Sequence, residues 1–268
     1  MMIPFRVLSS GVRETGQSRA GQRLGAANNS TIVIIVAVVG GFVLCVGLLI
    51  VLLIPGVRQA REAARQAQSA NNLKIFGIAL HYYHEVHEVF PPGGVYDEEG
   101  AAYRSWQTCL LPYIDQGPLY DSIKADLPWT DPVNDANFRV TVTPFLHPSE
   151  SSEPYTAAGY AVSHYAGNSH VFFPNSSIGM LDFVDGSFYT LLAGEVGAGY
   201  KAWGDPTNVR DPAVGIRVGP ETFGRDDADP GANMLFGDGS VHFISGDIDP
   251  DVLAALATYD GGEEVGDF

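Results

Sequence analysis

Basic residues are scarce in this sequence, and cysteine is scarcer still. Its 268 residues contain 15 Lys+Arg against 31 Asp+Glu, with only two cysteines, Cys45 and Cys109. So acidic a chain argues against binding nucleic acid, because phosphate neutralisation requires clustered cations. One cysteine lies inside an apolar run and the other far outside it, which excludes a disulfide-stapled scaffold and a cysteine-based zinc site. Walker and dinucleotide-binding loops are missing. Gly237-Asp238-Gly239-Ser240-Val241 lacks the pattern of a nucleophile elbow. On these grounds no enzymatic activity is expected. A hydrophobic content of 46%, with 11% aromatic residues, nevertheless rules out a wholly disordered chain.

The cations that do occur are unevenly placed. Residues 1–75 hold eight basic and two acidic residues, a net +6, so the overall −16 leaves −22 on residues 76–268. The two parts are built for different surroundings.

Residues 32–54 read IVIIVAVVGGFVLCVGLLIVLLI, without a charged side chain. At ~1.5 Å per residue such a helix spans roughly 34 Å, enough for a ~30 Å hydrocarbon core. In lipid the backbone must satisfy itself, so a helix is the workable form. A cleaved secretory signal would have a shorter apolar region and a small-residue cleavage site after it. Here Pro55-Gly56-Val57-Arg58 follows, so a retained span over 31–54 is expected. Four arginines precede the run and Arg58, Arg61 and Arg65 follow it, so the positive-inside count is nearly balanced. The short tail and the Trp/Tyr-rich body place the N-terminus in the cytoplasm and the C-terminal domain outside. Residues 1–30, rich in Gly, Ser, Arg and Asn and without an apolar period, read as a disordered tail.

Residues 55–90 consist mostly of good helix formers. Val57, Ala60, Ala64, Leu73, Phe76, Leu80 and Tyr83 recur at three-to-four spacing, an apolar stripe that the downstream domain is expected to cover. Pro91 and Pro92 end this stalk. Residues 91–268 change character. Short Val-, Tyr-, Phe- and Thr-rich runs predict strands at 138–145, 160–165, 171–173, 188–192, 234–236 and 241–244. Asp238-Gly239-Ser240, between the last two, predicts a hairpin. Short helices are expected at 119–124 and 252–258. The fold class is α+β: a long N-terminal transmembrane and amphipathic helix packed on an antiparallel, β-rich head.

The order of these pieces carries a resemblance. It runs through IPGVRQAREAARQAQSANNLKIFGIALHYYH (with Asn71 and Asn72), FPPGG (Pro91 and Pro92) and SWQTCLLPYIDQGPLYDSI. LHPS, DGSFYTLLAGE, GANMLFGDGSVHFIS (Asp238, Gly239 and Ser240) and LAALATYDGGEEV complete it. Over about 50–268 this series resembles the bacterial pilin-like family called domain of unknown function 1559. The resemblance implies a helix through the membrane and a globular head outside, as in type IV pilins or the pseudopilins of secretion systems. It carries no catalytic residue over. Many members begin with a prepilin leader, a Gly-Phe-Thr cleavage site and a Glu inside the helix. Here Asn28-Asn29-Ser30-Thr31 precedes the apolar run and that Glu is missing, so a permanent anchor is expected rather than processing. The family's His nine residues ahead of Asp-Gly falls on Ala228. Its Cys-Pro-Ser is His147-Pro148-Ser149, which removes a disulfide partner.

Several groups invite chemistry. His81, His84 and His87, with Glu85 and Glu88 nearby, could ligate a metal, although 81 and 87 diverge by about 120° around a helix. The alternative is that His81 and His84 pack the helix against the head while His87 stays solvated. Asp226, Asp227 and Asp229, converging near Asp238, offer oxygen ligands to Ca²⁺, as do Asp247, Asp249 and Asp251. Neither series matches an EF-hand, and turn-forming or solvated acids are the plain alternative. Trp106, Trp129 and Trp203 could line a ligand groove or fill the core.

The expected function is a single-pass, membrane-anchored envelope protein with a structural or assembly role. One alternative is a pseudopilin-like component of a type II secretion or type IV pilus-related apparatus; another is a tethered ligand- or calcium-binding module. The expected partners are the lipid bilayer and other pilin-like or secretion-system subunits, with no nucleic acid and no cofactor beyond Ca²⁺.

Overall fold

The computed structural model describes residues 29–149, 154–225 and 231–263. The chain divides into two units, Met1–Arg58 and Gln59–Phe268. The helix α1 (Asn29–His87) contributes to both. In the first unit, Asn29–Leu49 is long and apolar enough to cross a membrane, and none of it is buried within the protein. Val36, Phe42 and Leu44 are all more than half exposed. That is the surface of a candidate membrane anchor, since such an area is costly to hydrate and at home in hydrocarbon.

The second unit is an α+β head. After α1 come the hairpin β1 (Gly94–Tyr96) and β2 (Ala102–Ser105), then the short helices α2 (Trp106–Leu110) and α3 (Gly117–Ser122). Ser105 starts α2, its hydroxyl accepting from the Thr108 amide. Next come β3 (Val162–Ser163), β4 (Tyr165–Asn168), β5 (Leu191–Glu195), β6 (Lys201–Ala202) and β7 (Val209–Arg210). The chain finishes with β8 (Gly231–Phe236), β9 (Val241–Ser245) and α4 (Pro250–Ala257), whose N-cap is Asp249. The main sheet has the order β7-β4-β5-β8-β9.

Strand periodicity decides how this sheet is covered. Successive side chains point to opposite faces. Thus Leu235 enters one cluster with Leu73, Phe76, Leu80 and Trp106, while Met234 and Phe236 enter a second with Leu253 and Leu256 of α4. Every residue of β5 and β8 is buried as a result. Phe76 sits at the centre of the first cluster, edge-on to Trp106 and Tyr165 at 6.2 and 5.2 Å and tilted against Phe145 at 5.6 Å. Gly77 lets α1 come this close: a Cβ there would stand 3.0 Å from Leu235 and 3.3 Å from the Gly239 backbone.

The stalk helix, the β8–β9 hairpin and both short helices match the expectations in type, with ends shifted by up to three residues. The hairpin turn uses Gly239 at φ +83° and an Asp238 side chain that accepts from the Ser240 amide at 2.8 Å. α1 ends before the prolines, with Glu88 at φ +62° and its amide bonded to the His84 carbonyl at 2.8 Å.

Three expectations are corrected. The run 138–145 forms two 3-10 turns, Asn137–Arg139 and Thr143–Phe145, rather than a strand. Pro144 cannot donate to a ladder, and the Asn134 amide gathers the carbonyls of Lys124, Leu127 and Pro128 into a loop. The run 171–173 is a turn, because the amides of Val171 and Phe172 both bond back to the Asn168 carbonyl. The main sheet is antiparallel, as expected, apart from the short pair of β7 with β4, which is parallel. The apolar stripe of the stalk is also covered only in part. Val57, Ala60 and Ala64 are exposed, whereas Leu73, Phe76 and Leu80 are fully buried. Alanines offer too little apolar area to recruit a cover.

Trp106 and Trp203 belong to the core, and Trp129 packs against it, so the tryptophans line no groove. Both cysteines are free. Cys109 is buried, which pushes its thiol up to about 11. Phe76→Ala should lower the head's unfolding free energy by about 3–5 kcal/mol. Denaturant titration of the full chain in detergent, followed by tryptophan fluorescence, measures it.

Candidate functional site

Ser69 and Asn72 lie three residues apart on α1 and so share one face. Both are buried, and both meet the sheet at Tyr165 and Glu195, the paired residues that start β4 and end β5. The Ser69 hydroxyl donates to Glu195 Oε1 and lies 2.8 Å from the Tyr165 hydroxyl. The Asn72 amide donates to the Tyr165 hydroxyl and to the Leu146 carbonyl, each at 3.1 Å. From β8, Asn233 donates its amide N–H to Glu195 Oε2 at 2.9 Å and its side-chain N–H to Oε1 at 2.8 Å. His147 brings Nε2 to 3.6 Å from Oε1. The His147 backbone amide in turn donates to His164 Nδ1 at 2.9 Å.

Glu195 is only 4% exposed. Burial pushes its carboxyl up, but donors from His147, Ser69 and Asn233 outweigh burial and hold it below the ordinary glutamate value. Burial also raises the Tyr165 hydroxyl, keeping it a neutral partner. A small cavity of about 90 Å³ adjoins the carboxylate, bounded by Glu62, Gln66, His147 and Arg225.

Chemically the arrangement is a clamp. The Ser69 hydroxyl points at a carboxylate and a phenol, and His147 Nδ1 accepts from the Ser149 amide at 3.2 Å. Helix, strand and loop are tied to one charge, and removing a partner would leave that charge uncompensated.

The residues singled out from sequence fall in several places. Asn72 is in the clamp, whereas Asn71 is exposed on α1. Pro91 and Pro92 terminate the helix, and Asp238, Gly239 and Ser240 form the hairpin turn. Asp226, Asp227 and Asp229, the calcium candidates, lie outside the described residues. Asp249 caps α4, its carboxylate accepting from the Asp251 amide at 2.9 Å. The three histidines go separate ways. His81 lines a depression with Gly239, His84 Nε2 accepts from the Met180 amide at 3.0 Å, and His87 packs at a tilt on Tyr83 with ring centroids 4.1 Å apart. Among the described residues, no three His, Cys, Asp or Glu side chains gather to hold a metal ion.

Sequence reasoning missed Glu195, Ser69, Tyr165 and Asn233. The available signal was an acid ending the apolar run Leu191-Leu192-Ala193-Gly194, since Glu is almost never fully buried unless paired.

Fold and site together define an α+β head built on a long helix that also bears a candidate membrane span. The family described as Protein of unknown function (DUF1559) matches residues 58–217, more than half of the sequence, and the chain belongs to it. The match ends before β8, so the GANMLFGDGSVHFIS segment lies beyond it. No curated protein and no solved structure matches the chain.

The sign of the Glu195 shift sets a pH dependence. A carboxyl held low in the fold stabilises fully above its unfolded value, near 4.5, and loses that stabilisation as pH falls through the lower folded value. Glu195→Gln should therefore reduce stability at neutral pH and flatten the loss on acidification. Thermal melts of both proteins from pH 7 to 3 measure the difference.

Proposed function

We propose that this chain is a single-pass, membrane-anchored, pilin-like protein of the bacterial cell envelope, with a structural or assembly role and no catalysis. The observation that carries the reading is within α1. Its first part, Asn29–Leu49, is apolar and unburied, and its later residues Leu73, Phe76 and Leu80 are core of the head. A helix with both properties is suited to holding a folded domain at a bilayer. Arg58, Arg61 and Arg65 beside the span suit anionic headgroups, and the acidic head suits the aqueous side. The non-catalytic reading is supported by the clamp, where serine, tyrosine and asparagine are spent on one carboxylate. Assembly with other pilin-like or secretion-system subunits is the finer form of this reading.

Membranes from cells expressing the chain should retain it through high salt and carbonate and release it only to detergent; release without detergent overturns the anchor. Topology is read with an impermeant maleimide on intact spheroplasts. Val133→Cys should label and Ser10→Cys should not, with the opposite pattern placing the head in the cytoplasm. Intact mass then separates the two assembly forms, since loss of the N-terminal residues marks peptidase processing.

A further inference from the structure

Ile78, Tyr82 and Glu85 follow at i, i+4 and i+7 on one face of α1. Ile78 and Tyr82 remain 56% and 54% exposed. Between this face and Asp238-Gly239 lies a depression of about 310 Å³. A second, of about 600 Å³, runs from Glu85 and Glu88 to Gly179–Asp182. Glu85 lines both, so they adjoin as one groove. At its far end stands Leu181, 98% exposed. Leu181 is not on a loose loop. It sits in a 3-10 turn (Met180–Asp182) pinned by Met180 N–H to His84 Nε2 at 3.0 Å and Gly179 N–H to Asp182 Oδ2 at 2.7 Å. An apolar side chain presented to water from a hydrogen-bonded turn is suited to a partner.

Charge selects the partner. Glu85, Glu88, Asp182 and Asp238 rim the groove. The segments that build it, residues 75–89, 170–200 and 231–263, contain not one lysine or arginine. A field of one sign attracts cations and repels anionic headgroups and a second copy of the same acidic face. We propose that this groove is a docking surface for a cationic segment of another polypeptide, carrying apolar anchors that pack on Ile78, Tyr82 and Leu181. The proposal is independent of the membrane-anchor reading, because it rests on the head alone.

The test uses the full chain in maltoside micelles, with p-benzoylphenylalanine placed at Tyr82, at Leu181 or, as a control away from the groove, at the exposed Val133. The probe is a labelled short peptide of leucine and lysine. Photo-capture at 82 and 181 should exceed that at 133 by about tenfold or more. Glu85→Lys with Glu88→Lys, and separately Leu181→Asp read from position 82, should each lower capture by a similar factor with unchanged circular dichroism. Equal capture at 133, no capture at all, or capture undiminished by both variants overturns the proposal. So does equal capture of a leucine/glutamate peptide, or cross-linking of the chain to its own second copy.

Discussion

A carboxylate buried at the end of a β-strand governs how this protein is put together. Glu195 sits in the sheet interior, where an unpaired charge would be intolerable, and its donors come from three elements. Ser69 belongs to α1, Asn233 to β8 and His147 to a loop. Tyr165, opposite Glu195 across the β4–β5 pair, joins the network through Ser69 and Asn72. The clamp thereby specifies which turn of α1 faces the sheet. Apolar contacts alone, being non-directional, would leave the helix freer to slide. The aromatic cluster around Phe76, one helical turn beyond Asn72, then supplies the burial that makes the fixed position stable.

The same helix divides the molecule by solvent. Its first part, Asn29–Leu49, is apolar and unburied, while the part within the head carries buried core residues such as Leu73, Phe76 and Leu80. Net charge also changes sign along this helix, from +6 over residues 1–75 to −22 over residues 76–268. The DUF1559 match, over residues 58–217, covers most of the head. The groove on that head combines exposed Ile78, Tyr82 and Leu181 with the acidic Glu85, Glu88, Asp182 and Asp238.

Strong periodic signals were legible without the structure. The apolar run, the helix ending ahead of Phe90-Pro91-Pro92, the turn at Asp238-Gly239-Ser240 and the capped α4 all follow from local chemistry: backbone bonds available, φ allowed, donors present. The strand expected at 138–145 failed because apolar spacing does not report whether a ladder partner exists. Phe138 and Phe145 are buried, but from turns, the first of which bonds back to the Asn134 carbonyl. The histidine series is likewise parted in space, since equal spacing along the helix leaves the rings of His84 and His87 to different neighbours.

By itself, then, the sequence determined the anchor-like helix, the α+β class and the split in charge, because each depends on residues close together in the chain. Only the tertiary structure decided the clamp. Its members, from Ser69 to Asn233, are spread over more than half the chain and carry no shared motif. Their chemistry exists only where the middle of a sheet and a helix face exclude water around one charge.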